Sequence, residues 1–173
     1  MIRLIDILKE AIEDLVVPQE AYTGKIYSNS PNVWTHLTPY AAFIIDIKKR
    51  GELLDKGENK ANFPYGVKPP TGKFDLTKTG GLYFKKGELY TTDHDKYNQK
   101  WLITTDLPDE AFQPNINQGN TETFEQSNYI GALKPHPEGK TSPNYRDINN
   151  FKFYHINPTD KKWYEFDIDK IKI

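Results

Sequence analysis

Histidines stand at His36, His94, His136 and His155. None has another histidine two to five residues away, so a zinc site built on local spacing is unsupported. In "TTDHDKYN", Asp93, His94 and Asp95 cluster, but the glycine and distal glutamate of a calcium loop are missing, and the stretch reads as a solvated turn. His36-Leu37-Thr38 is an HxT tripeptide. Two-histidine phosphoesterases need two such motifs so that both imidazoles face the phosphate. No other histidine here has Thr or Ser two residues on, which disfavours that class. The chain has no cysteine, which excludes disulfides, thiolate metal sites, iron–sulfur clusters and a cysteine nucleophile. It also lacks a Gly-x-Ser-x-Gly elbow and a phosphate-cradling Walker loop. His36 is left as the histidine in the most ordered context.

The elements around His36 are well marked. "KIYS" (Lys25 to Ser28) and "NVWTHL" (Asn32 to Leu37) read as short strands split by the turn-forming "NSPN". A helix over 39–50 follows. Thr38 can cap it, and Pro39 suits its first turn. Tyr40, Phe43, Ile44 and Ile47 lie at helical spacing, Lys48, Lys49 and Arg50 suit the negative end of the dipole, and Gly51 stops it. An earlier helix is expected from about residue 3 to Val16, with Leu4, Leu8, Ala11, Ile12, Leu15 and Val16 as its apolar stripe and Pro18 as its end. Residues 55–80 are rich in Gly and Pro and form a long irregular loop. "GGLYFKKGELYTT" reads as a hairpin, with strand Leu82 to Phe84, a turn at Lys86–Gly87, and strand Glu88 to Thr91. Further strands are expected in "KWLITTDL" and "SNYIGALKP". The C-terminal segment reads as two strands around the "NPTDKK" turn, with Trp163 packing across them, while Trp34 and Trp101 fill the core.

In order along the chain, these motifs resemble an ADP-ribosyltransferase-like domain of the His–Tyr–Glu type, over roughly residues 22–135. "VWTHLTPYAAFIIDIKKRGELL" looks like the strand ending in His and the helix that stops at G-x-L. "GGLYFKKGELYTT" looks like the tyrosine strand, "KWLITTDLPDEAFQP" like the strand and exit that follow it, and "TFEQSNYIGAL" like the element with Glu at the front of a strand. The resemblance implies NAD as a substrate and no metal. It implies a catalytic set of His36 on the ribose, Tyr83 against the nicotinamide, and Glu125 on a ribose hydroxyl, with Thr38 and Tyr90 as further NAD-binding candidates. A fixed carboxylate aimed at a developing oxocarbenium ion stabilises the transition state more than the ground state. Two positions depart from the family. Leu37 stands where a Gly usually holds the nicotinamide amide, and Thr123 stands where arginine-modifying members carry Glu or Gln. Each residue also has a structural reading: His36 as a strand-end histidine, Tyr83 as one of eleven tyrosines, Glu125 as a solvated loop residue.

At 173 residues the chain is long enough for one domain with a real core. Aromatics make up 13%, too many for disorder, and suit a β-rich body. Helices near the N-terminus followed by strands predict an α+β fold: N-terminal helices, then a mostly antiparallel, aromatic-rich β body, the split sheet of the resembled family. The expected division is an amphipathic helix and linker over 1–20, able to dock, and a single domain over 21–173. A net charge of −1 offers no broad nucleic-acid surface, and no segment is apolar enough to span a bilayer. The expected setting is the cytoplasm. Under the enzyme reading the partner is a macromolecular acceptor, a protein. The "LIDILKE"-type helix in a Lys- and Asn-rich chain also resembles phage proteins. That implies the alternative of a non-enzymatic structural or packaged component of a phage particle, touching assembly proteins through residues 4–16.

Overall fold

The structure is a computed structural model, and it describes residues 15–39, 41–53, 83–90, 99–114, 123–134 and 143–172. Eight strands form one sheet: β1 Tyr22–Ile26, β2 Trp34–Thr38, β3 Tyr83–Lys86, β4 Trp101–Thr105, β5 Phe112–Pro114, β6 Ile130–Leu133, β7 Lys152–Ile156 and β8 Trp163–Phe166. Their order across the sheet is β1-β8-β7-β4-β2-β3-β6-β5, and every neighbouring pair is antiparallel. The one α-helix among the described residues is α1, Ala41–Arg50. The antiparallel, aromatic-rich sheet matches the expected β body. The expected leading helix falls on residues 3–14, outside the described residues, and on Leu15 and Val16, which are not helical.

Both faces of β2 and β4 are covered, and all five residues of each strand are buried. One face carries the main core. Trp34, Phe84, Trp101, Ile103, Phe153 and Phe166 project there and meet Ala41, Phe43, Ile44 and Ile47 of α1. Burying each large side chain of this kind contributes about 1.5–3 kcal/mol. The rings interlock, with Trp34 stacked on Phe112 at 4.0 Å and Trp101 on His155 at 4.3 Å between centroids. The second face carries a smaller cluster of Leu37, Leu102 and Tyr154, with Tyr27 and Trp163 against it. Trp34 and Trp101 are therefore core, and Trp163 packs beside its cross-strand partner Ile156, as the sequence suggests.

Helix α1 ends where its residues require. The Gly51 N–H donates to the Ile47 carbonyl at 2.8 Å, and Gly51 adopts φ +74°, open to glycine at little cost. The Lys48 ammonium ties the helix to the C-terminal segment through the carbonyls of Ile168 (3.0 Å) and Asp169 (2.9 Å). Thr38 is the last residue of β2, so the strand runs through the position expected to cap the helix. Arg146 is a second tie. It is 1% exposed, and its guanidinium donates to the carbonyls of Lys134 (2.9 Å), Leu133 (2.9 Å) and Leu53 (3.5 Å). Leu15 and Val17 pack on the main core while Val16 points out at 78% exposure, so residues from the expected helix-and-linker segment touch the body.

The expected 82–91 hairpin is corrected. Residues 83–86 form one strand between β2 and β6, and after Gly87 the chain crosses back to β2 instead of pairing with β3. The 55–80 loop, Leu82 and Thr91 lie outside the described residues, as do His94 and His136. Among the described residues no helix is long and apolar enough to cross a membrane, and no group of three His, Cys, Asp or Glu could hold a metal ion.

Candidate functional site

β2 carries an uninterrupted run of buried residues because its neighbours cover it on both sides. Thr35 and His36 are 0% and 4% exposed. The imidazole of His36 lies on the helix-side face, 5.6 Å from the ring of Phe84 and 6.3 Å from that of Phe43. Thr35 pairs with Lys85 across the β2–β3 ladder, so regular continuation would bring Leu37 opposite Tyr83. The ladder opens instead. The Leu37 N–H donates to the Tyr90 carbonyl at 2.7 Å, and the His36 Nδ1–H donates to the Tyr83 carbonyl at 2.7 Å. The imidazole therefore takes the carbonyl that the parting strands leave over, and a buried backbone acceptor is satisfied by a side chain.

Residues 87–90 complete the junction. Gly87, at φ +92°, turns the chain, and its N–H donates to the Val33 carbonyl at 3.0 Å. The Thr35 hydroxyl donates to the Glu88 carbonyl at 2.6 Å. The segment is thus pinned to β2 at Thr35 and Leu37 and to Val33 just before it.

Burial pushes the His36 pKa down to about 4, only partly opposed by its bond to the Tyr83 carbonyl. The ring is neutral at physiological pH. With Nδ1 holding the proton, Nε2 carries the lone pair, so the group can accept a hydrogen bond and supplies no positive charge. The Tyr90 phenol is pushed up, by burial first and then by the Tyr83 phenol.

The five expected site residues are distributed as follows. His36 and Tyr83 meet through the Tyr83 backbone, but side chains alternate along β3. With Phe84 on the helix-side face, Tyr83 points to the opposite one. Thr38 is buried at the end of β2, opposite Trp101. Glu125 does not stand at the front of a strand. It sits in a single turn, and β6 begins only at Ile130. That turn is closed reciprocally: the Thr123 hydroxyl accepts from the Gln126 N–H at 3.2 Å, and the Gln126 side chain accepts from the Thr123 N–H at 3.1 Å. Asn128 and Tyr129 follow at φ 55° and 57°, and the Tyr129 hydroxyl donates to the exposed Glu125 carboxylate at 3.2 Å. Phe124 packs on Trp34, which places this turn beside the Trp34 end of β2.

The structure therefore brings together the strands that carry the motifs, β2, β3 and β6, as consecutive neighbours. It puts the Tyr83 side chain on one face, the imidazole on the other, and the Glu125 carboxylate in an exposed turn. Sequence reasoning missed the carbonyls of Glu88 and Tyr90 as partners of β2, because backbone acceptors leave no mark in residue types. No family model matches the chain, and no curated protein or solved structure matches it.

Proposed function

We propose that the protein is an ADP-ribosyltransferase-like module that binds NAD where β3 parts from β2, with binding rather than transfer as its main activity. One observation carries this reading. Segments separated by more than forty residues supply adjacent strands β2, β3 and β6, and the ladder between the first two opens at His36 and Leu37. Where the ladder opens, Tyr83 and Tyr90 flank it, and aromatic rings of this kind orient a planar heterocycle. Tyr83 and Tyr90 are the stacking candidates, while His36 acts from the other face by holding the Tyr83 carbonyl.

Transfer of ADP-ribose to a protein acceptor asks more of the molecule. Glu125 would have to leave Tyr129 and reach the ribose, and the Leu37 N–H would have to exchange the Tyr90 carbonyl for the nicotinamide amide. The reading is therefore that of a binding relative with little or no turnover. Calorimetric titration with NAD tests it. Saturable binding is expected, weakened about tenfold by Tyr90→Ala through loss of one stacking contact and unchanged in Glu125→Gln. Absence of any NAD response in the intact protein contradicts it.

The second reading is an assembly component of a phage particle. It is favoured by Val16, which stands 78% exposed where the chain leaves the core. Under that reading residues 4–16 dock on a neighbouring protein. Deleting residues 4–14, which spares the core contact of Leu15, would abolish co-assembly and leave the sheet folded, as measured by pull-down and circular dichroism.

A further inference from the structure

A hollow of about 350 Å³ lies at the end of the sheet where β4 finishes and β7 begins, separate from the His36 junction. One wall is aromatic. Tyr27 and Tyr154 meet edge to face with centroids 5.6 Å apart. Around it stand Ser28, Asp106, Asn149 and Lys152, all exposed. No hydrogen bond or ion pair engages these four side chains among the described residues, whereas the neighbouring Thr105 and Asn150 are committed to backbone partners. The hollow therefore has a fixed floor and four polar groups facing it that are free to take a ligand.

The polar set selects the ligand class. A phosphate or carboxylate would meet one cation, Lys152, and be repelled by Asp106. A cationic ligand faces the reverse conflict. An apolar ligand would strip water from Ser28, Asn149, Asp106 and Lys152 and return no hydrogen bonds. A neutral polyol satisfies all of them: its hydroxyls donate to Asp106, accept from Lys152 and do both with Ser28 and Asn149, while its C–H face covers a tyrosine ring. The volume sits near the lower end of the range for small-molecule sites, which suits a mono- or disaccharide. We infer that this hollow is a binding site for a neutral sugar, either free or at the end of a polysaccharide.

The test is a chemical-shift titration of the ¹⁵N-labelled full chain with glucose, galactose, mannose, N-acetylglucosamine and their disaccharides. The expected result is saturable shifts with at least one sugar, confined to amides around 27–28, 104–106 and 149–152. In Asp106→Ala/Asn149→Ala, affinity should fall about tenfold or more through loss of a charge-assisted hydrogen bond, with an unchanged melting temperature because both residues are exposed. Tighter binding of a disaccharide than of its monomer would mark a polysaccharide end as the natural source, and equal binding a free sugar. The inference is overturned if no sugar of the panel gives saturable shifts, if the shifts lie elsewhere, or if the double variant binds as well as the parent. NAD binding at the His36 junction is scored in a separate titration, so failure of either site is read independently.

Discussion

At the scale of single residues, His36 decides how the junction behaves. Its proton is fixed on Nδ1 by the Tyr83 carbonyl and its charge is suppressed by burial. Above about pH 6.5 the ring is neutral in both folded and unfolded chains and adds no pH dependence. Between about 6.5 and 4 the unfolded chain takes up a proton that the folded one refuses, so stability falls as pH falls. The loss levels off below the folded pKa at about 3 kcal/mol for His36. His155 pushes the same way, its pKa lowered by burial and then by Lys100. Urea melts from pH 7 to pH 4 should therefore show a steeper loss for the parent than for His36→Gln. Equal slopes would show that His36 titrates as it does in water. The type and position of His36 are legible in the sequence, but its partner is not, because a carbonyl 47 residues away along the chain is invisible to local pattern.

At the scale of elements, the best-punctuated segment was also the most legible. The apolar spacing, terminal cations and Gly51 all point to α1, which begins at Ala41 and ends at Arg50. The terminal hairpin is likewise local: β7 and β8 flank the 157–162 turn, closed by Asn157 N–H to the Lys162 carbonyl at 2.8 Å. Lys161 holds φ 62° there, so Lys161→Gly should raise stability by a few tenths to about 1 kcal/mol in chemical denaturation. Strand β5 is not legible, since three residues ending in Pro114 carry no periodic signal; β3 is legible as a strand but its pairing is not, because its partners β2 and β6 are distant in sequence. Gly131 marks where β5, β6 and the 123–129 turn press together. An added Cβ would come within 3.0 Å of the Gln113 carbonyl, 3.1 Å of Phe112 Cβ and 3.3 Å of the Phe124 ring. Gly131→Ala should therefore cost about 1–3 kcal/mol, with the loss read from the denaturation midpoint. A neutral outcome would mean that the Phe124 turn gives way.

At the scale of the whole molecule, a single antiparallel sheet with aromatic rings on its main face is what the composition predicts, and the order of its strands is what composition cannot supply. Arg146 closes this architecture from outside the sheet, tying the segment after α1 to the end of β6 through three carbonyls. Arg146→Ala should cost about 3 kcal/mol or more, since it strands buried acceptors, and circular dichroism melts would register it.

The proposed NAD site also belongs to this scale, because the junction exists only once β2, β3 and β6 are assembled. Its most direct measurement is calorimetric titration of the intact protein with NAD. Saturable heat is expected, weakened by Tyr90→Ala and unchanged in Glu125→Gln. An isotherm with no heat above dilution, from protein shown to be folded, would contradict it.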